Sequence, residues 1–159
     1  MRKQYLMQTL GAFAAITLLA ATASAVDSGN PRYGKWKIKS DAPAPQSNIM
    51  TYEPNGDHGM KITIDAVNKD GKASQWGYTT DFSGKDEKTF FGDTNNDTGA
   101  VKMLSPTVNE IVYKNHGKVT QILMNVISLD GKTIGVMYMR MDPSGKVTNI
   151  TVATYERMK

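Results

Sequence analysis

Beyond residue 32 the chain is a series of short runs rich in Val, Ile, Thr, Tyr and Met, in which apolar and polar positions tend to alternate. Alternation with a period of two is typical of a β-strand with one buried face, and no stretch repeats its apolar positions at helical spacing. Gly, Asn, Asp and Pro interrupt the runs about every ten residues, as tight turns require. The pattern predicts strands over residues 33–38, 47–53, 60–67, 73–82, 87–91, 100–104, 108–114, 118–128, 132–141 and 146–157.

The connections between these runs are short and restrict how the strands are joined. Connections of about two to six residues can link only adjacent antiparallel strands, so we expect an up-and-down meander. An open sheet of about ten strands has two unpaired edges, and closing it into a barrel removes them. More than about eight strands enclose more space than their own side chains fill. The predicted fold is an all-β barrel with an internal cavity; the alternative is a β-sandwich.

The N-terminal residues have the character of a secretory signal. A short basic opening, Met1 to Tyr5, precedes an apolar run from Leu6 to Ala21, and small residues follow at Ala23 to Ala25. This order predicts a signal peptide over residues 1–25, cut after Ala25, and a single β-barrel domain over residues 26–159. Because the apolar run falls short of the ~20 residues that cross a bilayer, we expect no membrane span after cleavage. The expected location is periplasmic or secreted, in a bacterium.

Composition and charge exclude several classes of protein. The chain has 159 residues, 40% of them hydrophobic and none of them cysteine, which excludes a disordered chain, a disulfide scaffold and thiol catalysis. The net charge is +4, but two of the cations, Arg2 and Lys3, belong to the predicted signal peptide. The remaining balance gives no electrostatic footprint for nucleic acid. No cofactor and no metal site are predicted, and no oligomeric state is assigned.

Several short motifs resemble those of the calycin superfamily, which includes the fatty-acid-binding proteins and bacterial lipocalin-like domains. The motifs are Gly34-Lys35-Trp36-Lys37, the turn Glu53-Pro54-Asn55-Gly56-Asp57, Asp130-Gly131-Lys132 and the closing Tyr155-Glu156-Arg157. The resemblance implies a barrel that holds a small apolar molecule.

The chain departs from the fatty-acid-binding proteins in two functional features, the lid and the carboxylate-binding arginines. Their helical lid between the first two strands is replaced here by the Pro-rich stretch 40–46, and the positions of their two carboxylate-binding arginines are taken by Ala153 and by a residue near Val126. These departures argue against a fatty acid as the ligand.

Strand parity and the resemblance together predict which side chains line the cavity. On the strand 132–141 the two faces are both largely apolar, and the resemblance places the methionines inside and Arg140 outside. Trp36 is expected to plug one end of the barrel, its indole N–H requiring a partner. The predicted ligand-binding residues are Trp76, Tyr78, Phe82, Ile122, Met124, Val126, Met137, Met139, Met141, Ala153 and Tyr155.

The predicted function is that of an exported, non-enzymatic protein that binds a small apolar molecule in its barrel. Methionine is flexible and suits loosely specified apolar ligands, although the same stripes would also form an ordinary packed core, and clustered thioethers would select Cu(I). One alternative is a structural or protein-interaction barrel without a ligand. Another is a cavity enzyme of the isomerase or lyase type, with Tyr78, Tyr155, His58 and His116 as its acid–base groups.

Overall fold

The computed structural model describes residues 29–43, 46–88, 90–92 and 95–159, so the predicted signal peptide lies outside the described residues. No helix long and apolar enough to cross a membrane occurs in this described part of the chain. The described residues form ten strands: β1 (Gly34–Ile38), β2 (Ser47–Asn55), β3 (Gly59–Val67), β4 (Ala73–Thr80), β5 (Phe91–Gly92), β6 (Thr98–Ser105), β7 (Val108–Asn115), β8 (Lys118–Ile127), β9 (Thr133–Met141) and β10 (Val147–Arg157).

All ten strands belong to one antiparallel sheet in the order β5-β4-β3-β2-β1-β10-β9-β8-β7-β6. Apart from the pairing of β1 with β10, each neighbour in the sheet is also a neighbour in the chain. The short turns thus produce the predicted up-and-down meander, and the sheet curls into a barrel. A single continuous sheet excludes the sandwich alternative.

The two ends of the sheet meet along a seam between β4 and β6. The segment after β4 crosses this seam through two isolated bridges, Ser83 with Lys102 and Glu87 with Gly99. Glu87 and Gly99 exchange both backbone hydrogen bonds, at 2.9 and 3.0 Å. Among the residues that the structure describes, the seam is therefore held by isolated bridges and not by a continuous ladder of backbone hydrogen bonds.

The strand limits differ from the predicted ones mainly beside this seam. The predicted strand 73–82 ends at Thr80, because Phe82 has a positive φ of 62°, a left-handed backbone that an extended strand does not contain. Of the described residues in the predicted strand 87–91, only Phe91 belongs to a strand, β5, and Glu87 forms an isolated bridge to Gly99 of β6. Elsewhere the strands begin and end within about two residues of the prediction.

Two residues from the calycin-like motifs, Trp36 and Arg157, close one end of the barrel. Trp36 is fully buried, and its indole N–H donates to the carbonyl of Arg32 at 2.7 Å, which confirms the predicted plug. The guanidinium of Arg157 lies 4.1 Å from the centre of the Trp36 ring. It also donates to the carbonyls of Pro31, Tyr33 and Gly131. The first and last strands are thereby tied together at the closed end.

Candidate ligand-binding cavity

The interior of the barrel contains a cavity of about 300 Å³. Its lining residues alternate with outward-facing residues along each strand, as a pleated strand requires. Thr151 and Arg140 on the lining are exposed, whereas Tyr52 and Asn125 are buried, so the cavity opens at the end where β9 finishes. The lining consists of Ile38, Asn48, Met50, Tyr52, Ile62, Ile64, Trp76, Tyr78, Ile111, Tyr113, Gln121, Leu123, Asn125, Val136, Tyr138, Arg140, Thr151, Ala153 and Tyr155.

An aromatic cluster forms the wall beside the seam. Trp76 and Tyr78 lie on β4 with their rings stacked at a centroid distance of 6.4 Å. Tyr113 from β7 meets the edges of both rings, at 6.0 and 5.5 Å. Phe90 completes the cluster at 5.2 Å from Tyr113. These four rings pack across the gap that backbone pairing leaves open, and three of them face the cavity.

Phenol groups supply most of the polar atoms deeper in the cavity. The hydroxyls of Tyr138 and Tyr155 lie 3.2 Å apart, within hydrogen-bond distance. The amide of Asn125 donates to the Tyr52 hydroxyl at 3.0 Å, and that hydroxyl in turn donates to the sulfur of Met50.

Burial keeps these phenols in their neutral form. Desolvation is the largest cause of the shift at each group; it raises the pKa of Tyr78 to about 12 and also raises the pKa values of Tyr52, Tyr113, Tyr138 and Tyr155. At neutral pH they are hydroxyl groups able to donate or accept hydrogen bonds.

Below the cavity lies a fully buried arginine, Arg32. Its guanidinium donates to the side-chain oxygen of Asn125 at 3.0 Å and to the carbonyls of Thr107 and Pro106 at 2.8 and 3.2 Å. No carboxylate within the described residues forms an ion pair with it. Burial lowers the pKa of Arg32, and an arginine remains charged in spite of such a shift. The floor therefore carries a positive charge that only neutral oxygens solvate.

The mouth of the cavity is polar. Gln121 and Arg140 are paired residues on β8 and β9, and Asn48 lies on the cavity wall near the start of β2. The side-chain oxygen of Asn48 is buried without a hydrogen-bond partner in the described structure. Arg140 is exposed, and among the described lining residues there is no Asp or Glu to balance it. The electrostatic character of the cavity is thus neutral to positive.

The structure brings four of the predicted ligand-binding residues together on the cavity wall: Trp76, Tyr78, Ala153 and Tyr155. Thr151, on the same face of β10, lies there too. Phe82 is elsewhere, beside a surface depression at the closed end that also includes Tyr33 and His58. Whether the four wall residues contact a ligand stays a prediction.

The predicted interior faces of β8 and β9 are wrong by one residue. Gln121, Leu123 and Asn125 of β8 line the cavity, and Val136, Tyr138 and Arg140 of β9 do so too. On β9 the alternation of residues does not identify the inner face, because both faces are apolar. On β8 the more apolar face points outward. Arg140 avoids the expected penalty because it lies at the open mouth, where its guanidinium remains in water. The residues placed on the outer surface as a result are Ile122, Met124, Val126, Met137, Met139 and Met141.

The cavity-lining residues of β2, β3 and β7 were not predicted from the sequence, although the alternation of apolar and polar residues in β3 indicates which of its faces is buried. In β3 the apolar residues Met60, Ile62 and Ile64 alternate with Lys61 and Thr63, and this pattern identifies the inner face without further information. Asn125 and Arg32 gave no such signal, because each is polar and its burial depends on the other.

Comparison with solved structures gives the same fold. The crystal structure of wild-type fluorescent protein UnaG matches with a TM-score of 0.54 at 14% identity, covering 79% of this chain and 96% of that chain. A single-residue mutant of UnaG matches with a TM-score of 0.54 at 14% identity, covering 81% of this chain and 97% of that one. The chain is therefore similar in fold to UnaG. At this identity the likeness to UnaG extends to the fold alone. No protein-family model and no curated protein matches the sequence.

Proposed function

We propose that the protein is an exported binding protein that carries or sequesters one small, largely apolar molecule in its barrel. The cavity carries this proposal. Its volume of about 300 Å³ is at the lower end of ligand pockets, which span roughly 300–1,000 Å³. It is about twice the ~150 Å³ that accommodates benzene in a protein core. A ligand of one or two fused rings fits this space.

The chemistry of the wall indicates what the ligand carries. Three aromatic side chains, Trp76, Tyr78 and Tyr113, favour a flat ring that stacks or meets their edges. The phenols, the Asn48 oxygen and Gln121 offer hydrogen bonds to one or two polar atoms. Two cations, Arg32 below and Arg140 at the mouth, disfavour a positively charged molecule. The preferred ligand is therefore neutral or acidic.

The binding energy comes from burial. A ligand that removes about 300 Å² of apolar surface from water gains on the order of 7 kcal/mol at ~25 cal/mol per Å². Association entropy costs at least ~4 kcal/mol of this. Hydrogen bonds to the wall add back ~1 kcal/mol each. With one or two of them the net gain is about 4–5 kcal/mol, so we expect a dissociation constant of roughly 0.2–1 mM for a simple aromatic probe.

The arrangement of acid–base groups supports binding without catalysis. His58 lies in the turn between β2 and β3 at the closed end, whereas His116 lies in the turn between β7 and β8 at the open end. They are too far apart to act as a pair on one substrate. Tyr78 and Tyr155 have pKa values raised by burial, which makes their phenolates unavailable as bases at neutral pH.

A fluorescent probe tests the proposal. The neutral two-ring dye 2-naphthol should bind with a saturable, one-to-one change in its fluorescence. Ala153→Phe places a phenyl ring on the cavity wall, and because benzene occupies a ~150 Å³ cavity, the ring takes about half of the available volume. We expect A153F to weaken dye binding at least tenfold while its thermal unfolding resembles that of the wild type.

The matched control is Thr154→Phe, which adds the same ring one residue further along β10, on the outward face where the side chain is exposed. T154F should bind the dye as the wild type does. No saturable uptake by the wild-type protein, or equal binding by A153F and T154F, would overturn the cavity proposal.

The export proposal has its own test. The protein should be recovered from the periplasm or the medium with a mass that begins at residue 26. Recovery of the uncut chain from the cytoplasm would overturn export without affecting the cavity.

A further inference from the structure

The outside of the barrel carries an apolar surface on β8, β9 and β10. Its residues form two rows that run across the three strands, each row made of directly paired residues: Ile122, Met139 and Ile150 in one row, and Met124, Met137 and Val152 in the other. We call these six residues the outer apolar band. They alternate with cavity-lining residues, so all six face away from the cavity.

The band includes two of the most exposed large apolar side chains described. Val152 is 79% exposed and Ile150 is 59% exposed, and the other four band residues are half-buried by one another. Single apolar residues on a surface are ordinary, whereas contiguous apolar patches mark interaction sites. The cavity does not use these side chains, so the band requires a different explanation.

We infer that the outer apolar band is the self-association surface of this protein, and that a second copy covers it by face-to-face packing in a twofold dimer. Two apolar sheet faces pack about 10 Å apart with interdigitating side chains, as in a β-sandwich. In a twofold dimer both partners present the same face, so an apolar band is complementary to itself.

The outer face that holds the band has the size that a small dimer requires. The outward-facing positions of β7 to β10 span about four strand widths of 4.8 Å and about five residues of 3.4 Å, or roughly 320 Å² in projection. Besides the band, this area holds Val112, Val126 and, on β7, the charged Glu110. A specific interface at the lower size limit buries about 500 Å² on each partner, so the band supplies its apolar centre and the surrounding polar positions supply the rest.

The surroundings and composition of the band favour another copy over a membrane. Charges of both signs flank it. Lys39, just after β1, forms an ion pair at 3.1 Å with Glu156 near the end of β10, and Lys102 on β6 is paired with Glu110 on β7. A polar rim around an apolar centre is the usual anatomy of a protein interface, and Met is enriched there. The band itself contains only Ile, Val and Met. It lacks the Trp and Phe anchors that interfacial membrane segments use.

Sedimentation equilibrium of the purified protein over micromolar to near-millimolar concentrations tests the inference. We expect a reversible monomer–dimer equilibrium. The double substitution Ile150→Lys and Val152→Lys should raise the dimer dissociation constant at least tenfold, because it buries charge at the interface centre. The control is Leu129→Lys in the turn between β8 and β9, where the side chain is 98% exposed and outside the band. L129K should dimerise as the wild type does.

A second measurement does not depend on lysine substitutions. Because the sequence has no cysteine, a single V152C can be cross-linked with a short bis-maleimide, and L129C provides the comparison. Cross-linked dimers of V152C but not of L129C would support the inference. It would be overturned by a protein that is monomeric at every concentration, by a double lysine variant that dimerises as strongly as the wild type, by equal cross-linking at both positions, or by a monomer that uses the band to bind phospholipid vesicles. Dye binding by A153F and T154F is read independently, so failure of either proposal leaves the other testable.

Discussion

Replacing the buried arginine below the cavity tests how the closed end of the barrel is held together. Arg32 joins the segment before β1 to the turn between β6 and β7 and to β8, through donation to Pro106, Thr107 and Asn125. Arg32→Met keeps an unbranched side chain that reaches about as far as the arginine Nε, but it removes every donor. We therefore expect a loss of stability without a change of fold.

The magnitude follows from the acceptors that are left behind. Four oxygens lose this donor: the side-chain and backbone oxygens of Asn125 and the carbonyls of Pro106 and Thr107. The Thr107 carbonyl keeps the N–H of Ile127, and each acceptor left buried and unsatisfied costs about 1–3 kcal/mol. The substitution also abolishes the desolvation penalty of the guanidinium, which is several kcal/mol for a buried ion. The difference is a net destabilisation of about 3 kcal/mol, typical of a broken buried polar network.

Urea unfolding monitored by tryptophan fluorescence measures this loss. With a slope of about 2 kcal/mol per molar urea, the unfolding midpoint of R32M should fall by about 1.5 M. Arg32→Lys should destabilise at least as much, because an ammonium keeps the buried charge but lacks the planar fork that reaches four oxygens. The control is Arg140→Met at the exposed mouth, which should change the free energy of unfolding by less than ~0.5 kcal/mol.

Two results would refute this reasoning. If R32M lost less than ~0.5 kcal/mol, the network would contribute nothing beyond the cost of burying the guanidinium. If R32K were as stable as the wild type, the charge and not the fork geometry would be what the floor requires.

Two further predictions concern stability. Burial raises the pKa of Tyr78 to about 12, so the folded state favours the neutral phenol. The stabilisation that this gives the folded state is complete below the unfolded pKa of about 10. It is lost as the pH rises from there through 12. Phenolate absorbance and loss of the β-sheet circular dichroism signal should therefore appear together above about pH 10, and ionisation of all the tyrosines well before unfolding would contradict the burial of these rings. A Cβ at Gly77 would overlap the carbonyl of Ile62 and the ring of Phe91, whereas at Gly135 its nearest neighbour, the carbonyl oxygen of Val126, would be 3.9 Å away. Gly77→Ala should thus lower stability by about 1–3 kcal/mol and Gly135→Ala by much less in the same urea assay, and equal effects would show that β4 and β5 are not so closely packed.

The strands and their order follow from local features of the sequence. Turns such as Asp130-Gly131 and Asp142 to Gly145 mark where the chain reverses, and short turns between alternating runs leave only a meander. The inner face of β3 can also be identified from the local sequence, because its apolar and polar residues alternate. The wall residues Trp76 and Tyr78 were placed correctly on one face of β4 for the same reason.

The sequence by itself therefore determined that the chain forms an antiparallel barrel with an interior, since strand spacing and turn chemistry act over a few residues. Only the tertiary structure decided which face of β8 and β9 is the interior. On β9 both faces are apolar, and on β8 the polar Asn125 points inward because Arg32, distant in sequence, meets it there. A contact between residues so far apart in the sequence forms only when the barrel closes. Because it places Asn125 inside, the methionines that were predicted to line the cavity lie on the outer surface.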